Sequence, residues 1–217
     1  MTRPTLTLLE QLQDIPAPIL SDVLTFDYKK NRFNCSSTVR NYVGNTICGV
    51  AFNTIGRFVT VSSQDRYRIE MLGEMTPGDL QVVSNCNFNV ACYGDISARL
   101  AQRRGCVGAF IDGPIRDITY MPNGFGVAYE SVNPRDAYDV WEIDHTGGDI
   151  YTQDNLRVRH KDVMHIGPEG IVVIPKAFDL EEVLDKAKTR VVQESNVRVR
   201  MHHGEDPLKI YDEEQRW

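Results

Sequence analysis

The sequence predicts an α/β protein, and three observations support this prediction. Residues 80–112 read as a strand (LQVVS), a helix (GDISARLAQRRG) and a strand (VGAFID), which is the pattern of a βαβ unit. The apolar run IVVIP at 171–175 precedes a long helical stretch at 179–203. The 217 residues are 41% hydrophobic and 25% charged, enough to bury one sizeable core. We therefore expect one domain over residues 1–217.

The N-terminal half is predicted to contain helices and then strands. The segment LTLLEQLQDIPAPILSDVLTF suggests two short helices separated at its prolines, because proline cannot continue a helix. Ser21 and Asp22 are suitable N-cap residues for the second helix. Residues 28–45 are polar and are expected to form a loop or insertion. Strands are expected at TICGVAFNTI and GRFVTVSS, followed by a helix at DRYRIEMLGEM and a turn at 76–79.

The C-terminal half begins with the helix of the βαβ unit. Asp95 is the expected N-cap of this helix, and Gly105 is its expected terminator. Further strands are expected at FGVAYESV and at NLRVRHKDVMHI. The long helix at 179–203 should stop at Gly204, and the polar tail from about residue 205 is expected to be partly ordered at most.

Composition and charge exclude several classes of protein. The net charge of −6 argues against a nucleic-acid or membrane-surface binder, because such binders need excess Lys and Arg. No apolar run is long enough to span a membrane, and the N-terminal segment lacks the apolar core of a signal peptide. The five cysteines show no CxxC pair, so neither a disulfide framework nor a structural zinc site is expected. A cytoplasmic location is the expectation.

Two features of the βαβ unit could together perform chemistry. The helix begins at Gly94, Asp95, Ile96 and Ser97, and the second strand is followed by Arg116 and Asp117. Ligand sites in α/β proteins form where strand ends meet helix N-termini, so we expect these residues to lie close together. The free N–H groups of a helix start can hold a carboxylate, and an arginine adds a two-pronged contact to the same anion.

An aspartate beside that arginine suits a hard cation. Asp117 offers oxygen ligands only, which favours Mg²⁺ or Mn²⁺ over a soft metal. Such a site could bind an α-keto acid and stabilise the enolate that develops in aldol cleavage or β-decarboxylation. The alternative interpretation is a solvated surface pair that contributes less than about 1 kcal/mol, and for the dipeptide alone this is the commoner case.

The segment GDLQVVS…YGDISARLAQRRGCVGAFIDGPIRD resembles the RraA-like superfamily, which includes the class II 4-hydroxy-4-methyl-2-oxoglutarate pyruvate aldolases. These enzymes carry an Asp, twenty intervening residues and then Arg-Asp; here residues 96–115 separate Asp95 from Arg116. The similarity extends to SDVL, TPGDLQVV, EGIVVIPK and KTRVVQESNVRVRMHHG, and so covers most of the chain. It implies a β/β/α sandwich of the swivelling-domain type, with flanking N- and C-terminal helices.

The resemblance also implies a role for each residue of the site. Asp117 would be the direct metal ligand, and Arg116 would bind the pyruvoyl group and stabilise its enolate. Gly94 to Ser97 would hold the substrate carboxylate, while Asp95 would hold a metal-associated water that protonates the enolate. Glu194, in the C-terminal helix of a neighbouring subunit, would lie near the water shell of the metal. The implied assembly is a homotrimer or homohexamer, and oxaloacetate decarboxylation is an expected companion activity.

Two other functions stay open. One is a non-catalytic regulator of a ribonuclease, as RraA itself is; the family regulator lacks the aspartate after the arginine, whereas this chain has Asp117. The other is a related enolate-forming enzyme on another keto acid. Residues 153–170 read QDNLRVRHKDVMHIGPEG where the family usually has a Gly-Gly stretch and a PGD turn, so the substrate pocket is expected to differ here.

Other chemically suggestive residues are interpreted structurally. His202 and His203 are expected in the last turn of a helix, where cationic side chains meet the negative end of the dipole. Lys176 is interpreted as a surface lysine rather than a Schiff-base residue. The Gly124 to Gly126 stretch is only GxG, without the strand–turn–helix glycine fingerprint that a cofactor-binding methyltransferase would need.

Overall fold

The protein is described from a computed structural model, which covers residues 3–29, 35–36, 41–61, 65–86 and 89–214. The helices are α1 (Leu6–Gln13), α2 (Ala17–Asp22), α3 (Asp65–Leu72), α4 (Asp95–Arg103), α5 (Leu180–His202) and α6 (Pro207–Glu214), with a π-helical turn at Val23–Asp27 and a 3₁₀ turn at Ile118–Tyr120. The strands are β1 (Cys35–Ser36), β2 (Asn41–Val43), β3 (Ile47–Phe58), β4 (Asp79–Ser84), β5 (Gly108–Ile115), β6 (Gly126–Val132), β7 (Trp141–Thr146), β8 (Asp149–Tyr151), β9 (Arg157–Arg159), β10 (Val163–Gly167) and β11 (Gly170–Ile174).

A mixed sheet organises the molecule. Its strand order is β1-β11-β10-β3-β4-β5-β6-β2, with β7 paired to β3, and β8 and β9 form a separate hairpin. The central strands β3 to β6 are parallel, and the flanking strands are antiparallel. Helix α4 connects two of the parallel strands, so the predicted βαβ unit is present. The carboxyl ends of β3, β4 and β5 therefore meet at one edge of the sheet.

The two faces of the sheet are covered differently, which makes three layers. Residues of β3 alternate between faces: Val50 packs with α1, α2 and α5, and Phe52 packs with α3 and α4. Ala51, between them, packs instead with the β8–β9 hairpin through Ile150 and Val158. The order of layers is helix, sheet, hairpin. The predicted α/β fold is confirmed. In the described part of the chain, no helix has the length and apolar character needed to cross a membrane.

Several predicted element boundaries are wrong. Ser21 and Asp22 do not cap the second helix but lie in its last turn, because α2 already begins after Pro16. The two strands predicted at 46–63 are one strand, β3, that changes register between Ile55 and Gly56. The strand predicted at 155–166 is instead β9 and β10, separated by a turn in which Lys161 has a positive φ of 74°. Strands β7 and β8 were not predicted. Much of the loop predicted at 28–45 lies outside the described residues, but within that range Cys35–Ser36 and Asn41–Val43 are the strands β1 and β2.

The C-terminal tail is also ordered to a greater extent than its polar composition predicts. It contains helix α6, which returns to α5 and buries Ile210 completely. Arg200 of α5 joins the two helices by ion pairs with Glu205, Glu213 and Glu214. One apolar side chain and one arginine thus fix a segment that is otherwise polar.

Replacement of Ile210 by alanine is expected to destabilise the protein by about 2–4 kcal/mol, because it deletes a fully buried side chain. The matched control is Leu208→Ala in the same helix, whose side chain is 73% exposed and should cost about 0.5 kcal/mol or less. Urea unfolding of both variants measures the difference. Equal destabilisation by the two substitutions would contradict the docking of α6.

Candidate functional site

The exit of β5 runs beside the segment that leads into α4. Tyr93 pairs with Ile115 in a parallel bridge, and the Arg116 N–H donates to the Tyr93 carbonyl at 2.9 Å. The Cys92 N–H also donates to the Pro114 carbonyl at 2.9 Å. These backbone contacts place the first residues of α4 against the residues that follow β5, although they are about twenty positions apart in the chain.

Arg116, Asp117 and Gly94 meet at this point. The Arg116 Nε lies 3.2 Å from Asp117 Oδ2, and both side chains are partly exposed. A Cβ added at Gly94 would lie 3.0 Å from the same Asp117 oxygen and 3.4 Å from Arg116 Cγ. Asp117 has a left-handed backbone, with φ 58° and ψ 35°, which Asp and Asn adopt more readily than most residues. A glycine thus leaves open the space next to an exposed carboxylate.

A second carboxylate, Asp136, also contacts Arg116. Its Oδ2 lies 2.7 Å from Arg116 Nη1, and its Oδ1 accepts from the Tyr138 N–H at 2.7 Å. Residue Asp136 reaches this place because it forms a parallel bridge with Ala91, just before the start of α4. Asp136 was not predicted as a site residue. No spacing pattern pointed to it, since only the long-range bridge brings it here.

The N-terminus of α4 differs in detail from the prediction. The N-cap is Gly94, with an extended backbone and no side-chain cap, and Asp95 is the first helical residue. The carboxylate of Asp95 pairs instead with Arg99, whose Nε lies 3.3 Å from Asp95 Oδ2. The first-turn N–H groups, which include those of Ile96 and Ser97, therefore receive no side-chain acceptor from the cap position. Free amides of this kind can hold a small anion.

Glu194 lies elsewhere in the chain. It sits in the middle of α5, where its carboxylate pairs with Arg198 one turn later. Its nearest charged neighbours include Asp22 of α2, on the helix layer that covers β10 and β11. In the described residues no contact joins Glu194 to Arg116 or Asp117 of the same chain. Its expected contribution from a neighbouring subunit stays a prediction.

The side chains around Arg116 suit a cation of a particular kind. Among the described residues no group of three or more His, Cys, Asp or Glu is arranged to hold a metal ion. A cation at Asp117 would therefore find fewer than three such side chains in the described part of the chain and would complete its shell with water, as Mg²⁺ usually does. Arg116, Asp117 and Asp136 together carry a formal charge of −1, which favours a cation over a second anion.

A separate cavity of about 300 Å³ lies outside the carboxyl ends of β3, β4 and β5. Asp112 lines it and accepts hydrogen bonds from the Gln153 N–H at 3.2 Å and from Gln153 Nε2 at 3.3 Å. Burial raises the pKa of Asp112 to about 6; repulsion by Asp154 and Glu130 adds to the effect, and the Gln153 hydrogen bonds oppose it. The sequence predicts Asp112 only as the last residue of the strand VGAFID. Its burial under the hairpin could not be read locally.

Asp112 is expected to make stability depend on pH. Because its pKa is raised in the folded state, the protonated form is favoured by folding, and that contribution is complete below about pH 4 and lost as pH rises through 6. Asp112→Asn should therefore increase stability at pH 7 by up to about 2 kcal/mol and flatten its pH dependence between 4 and 6. Urea unfolding at several pH values measures this effect. The exposed control Asp212→Asn should leave the profile unchanged.

The remaining candidates occupy structural positions. His202 lies in the last turn of α5, as expected, and His203 is the C-cap residue that follows it; both are exposed. Lys176 Nζ donates to the His160 carbonyl at 3.1 Å at the surface. Burial lowers the pKa of His165, which contacts the Gln13 carbonyl at 3.4 Å. The four cysteines with described side chains, Cys48, Cys86, Cys92 and Cys106, are free and buried.

Comparisons with known proteins agree with this architecture. A model of the RraA-like family, described as Aldolase/RraA, matches residues 17–173. The structure is similar to one described among novel cellulases from microbes of the gut ecosystem, with a TM-score of 0.79, 21% identity and coverage of 90% of this chain and 89% of that one. It is also similar to an uncharacterized protein from Pseudomonas syringae pv. tomato, with a TM-score of 0.78 and 19% identity over 96% of this chain and 94% of that one. A third similar structure is Streptomyces coelicolor RraAS2, described as an unusual member of the RNase ES inhibitor RraA family. Its TM-score is 0.75, with 20% identity over 92% of this chain and 100% of that one. At these identities the three structures establish the fold.

Proposed function

The chain belongs to the RraA-like family of Aldolase/RraA proteins, and on that basis we propose that it is a divalent-metal-dependent pyruvate aldolase. It would cleave a 4-hydroxy-2-oxo acid, such as 4-hydroxy-4-methyl-2-oxoglutarate, to pyruvate and a second carbonyl compound, and would also decarboxylate oxaloacetate. The observation that carries the proposal is the contact of Arg116 with Asp117 directly against Gly94 at the start of α4. A ribonuclease regulator would not need a carboxylate at this place.

Charge makes cation and substrate binding interdependent. The charge of −1 on Arg116, Asp117 and Asp136 repels a keto acid, whereas a divalent cation, expected as Mg²⁺ or Mn²⁺, changes it to +1. Asp117 Oδ2, next to the space above Gly94, would hold that cation. When bound, the cation supplies Lewis-acid stabilisation of negative charge on the 2-oxo oxygen.

Arg116 is oriented for the substrate by its two carboxylate partners. Nε contacts Asp117 and Nη1 contacts Asp136, which leaves Nη2 to donate to an oxygen of the keto acid. The first-turn amides of α4 receive the substrate carboxylate, where the helix dipole also favours negative charge. Two separate groups thus fix the two ends of the pyruvoyl unit, and this orientation lowers the entropic part of the barrier.

The reaction removes one proton from the C4 hydroxyl and adds one proton to C3, so no proton is gained or lost overall. Removal of the C4 hydroxyl proton by an outer base breaks the C3–C4 bond, releases the carbonyl product and leaves the electron pair on the pyruvate enolate. Arg116 holds the enolate oxygen through charge-assisted hydrogen bonds. Asp95, whose carboxylate is oriented by Arg99, positions the water that protonates C3. Glu194 of a neighbouring subunit would orient a water molecule in the shell of the metal. This role would require the active site to lie at a boundary between subunits of a trimer or hexamer.

The proposal is tested by measuring pyruvate release. We expect the purified protein to release pyruvate from 4-hydroxy-4-methyl-2-oxoglutarate and from oxaloacetate with Mg²⁺ or Mn²⁺, and to lose this activity with a chelator. Gly94→Ala should reduce the rate by about tenfold or more, because the new Cβ would lie 3.0 Å from Asp117 Oδ2 while the extended backbone at Gly94 accepts alanine without strain. Copurification with a ribonuclease, together with no release of pyruvate from any keto acid, would favour the regulator instead.

A further inference from the structure

We propose that the cavity beside Asp112 is a second small-molecule site, and that it binds a small protonated primary amine. Its volume of about 300 Å³ is at the lower end of the usual range for ligand pockets. It lies where β3, β4 and β5 end, under the β8–β9 hairpin, at the edge of the sheet where α/β proteins commonly bind ligands. The proposal does not depend on the lyase function.

The cavity is distinct from the Arg116 site because the two lie on different faces of the sheet. Phe110 of β5 packs with the hairpin, Ile111 packs with the helix layer, and Asp112 is again on the hairpin side. A register shift between Ile111 and Pro114 then turns the chain toward Gly94. One strand therefore supplies a carboxyl group to the hairpin side and Arg116 to the helix side.

A serine hydroxyl in the wall of the cavity is available to a ligand. Ser84 lines the cavity and is only 5% exposed. Ser84 follows Leu80 and Val82, which alternate onto the hairpin side of β4, so its side chain points the same way. A hydroxyl in this position can accept a hydrogen bond from a ligand in the cavity.

The polar groups that line the cavity offer acceptors to a ligand. Asn85 Nδ2 already donates to the Gly56 carbonyl at 2.6 Å, and Gln153 Nε2 already donates to Asp112 at 3.3 Å. The side-chain oxygens of Asn85 and Gln153 therefore remain as acceptors, together with the Asp112 carboxylate and the Ser84 hydroxyl. An ammonium group has three donors and no acceptor, which matches this set.

The charges in and near the cavity also favour a cation. Asp112 and Asp149 line it, and none of its lining residues, all in the described part of the chain, is Lys, Arg or His. Arg157, which follows the hairpin turn, is held in an ion pair by Asp149. A carboxylate buried beside other carboxylates is stabilised by a cationic partner, whereas a second keto acid would be repelled.

Apolar residues provide for the rest of the ligand. Ile55 and Ile150 line the cavity beside the carboxyl group and can pack against a short alkyl chain. The Tyr151 ring, which is 61% exposed, stands at the rim, and Arg157 already lies 5.8 Å from its centroid in a cation–π contact. A cation that enters past Tyr151 would benefit from the same ring. The surroundings fit an amine with a chain of a few carbons.

Three probes of the same length but different charge test the proposal. Calorimetric titration of the full chain with butane-1,4-diamine, butane-1,4-diol and succinate should show binding of the diamine at least about tenfold tighter than of the diol, and none of succinate. Asp112→Asn should weaken diamine binding by at least about tenfold, because it removes the charge without changing the shape. Ser84→Ala should weaken it by a smaller factor.

The controls separate this cavity from the Arg116 site and from surface binding. Asp117→Asn should leave diamine affinity unchanged. Trp141 Nε1 donates to the Asn85 carbonyl at 2.7 Å, so diamine binding should shift the indole N–H resonance of Trp141. Equal affinity for diol and diamine, binding of succinate, an undiminished affinity in Asp112→Asn, or no binding of the diamine would each overturn the proposal. None of these measurements involves pyruvate. Failure of the diamine-binding test would therefore leave the proposed lyase activity intact.

Discussion

Asp117→Asn is expected to abolish metal-dependent pyruvate release, with kcat reduced by at least about 100-fold. The amide keeps the shape of the side chain but loses the negative charge that holds a hard cation. Asparagine also accepts the left-handed backbone at this position, where φ is 58°, so the variant should fold normally. Loss of activity would then report the missing charge rather than a local distortion.

The matched control for this substitution is Asp139→Asn. Asp139 is exposed, and its backbone is also left-handed with φ 57°, so the chemical change and the backbone geometry are the same. The activity of Asp139→Asn should equal that of the parent protein. A second measurement, Mn²⁺ binding followed by electron paramagnetic resonance, should show weaker binding in Asp117→Asn alone. Full activity in Asp117→Asn, or unchanged Mn²⁺ affinity, would remove the metal role of Asp117.

Arg116→Lys is expected to reduce kcat/KM by about 100- to 1,000-fold although the positive charge is kept. The arginine contacts Asp117 through Nε and Asp136 through Nη1, and still has Nη2 for the substrate. A lysine presents a single ammonium at the end of a flexible chain, which cannot satisfy two carboxylates and a keto acid in the same geometry. Steady-state kinetics on oxaloacetate and on the hydroxy-keto acid measures the loss.

Arg135→Lys provides the comparison for this second prediction. Arg135 is the exposed residue that precedes Asp136 in the sequence, and its backbone carbonyl, not its side chain, accepts from the Ala91 N–H at 2.8 Å. The change should leave kcat/KM within about twofold of the parent value. If Arg116→Lys were as active as Arg135→Lys, the two-pronged contact would have no role in turnover, and the proposed function would lose its main support.

Local patterns were enough to predict the elements that carry the candidate site. The apolar runs before Asp112 and at 171–175 are strands, and the helix between Asp179 and Gly204 begins and ends at the residues suited to cap it. The strand signal is the hydrophobicity of consecutive side chains, and the helix ends are marked by cap residues close by in the chain, so short segments contain both signals. The approach of Arg116 and Asp117 to the start of α4 also follows from the βαβ pattern.

Contacts between distant segments determined the rest. Asp136 reaches Arg116 through its bridge to Ala91, and α6 is fixed by the burial of Ile210. Burial raises the pKa of Asp112, and the cavity beside it is lined in part by a hairpin about forty residues later in the chain. Gly94 rather than Asp95 occupies the N-cap position of α4, and Asp95 pairs with Arg99. Hydrogen bonding within a helix or turn is encoded locally, whereas burial and charge pairing depend on which distant segments pack together, and that is decided only when the sheet assembles.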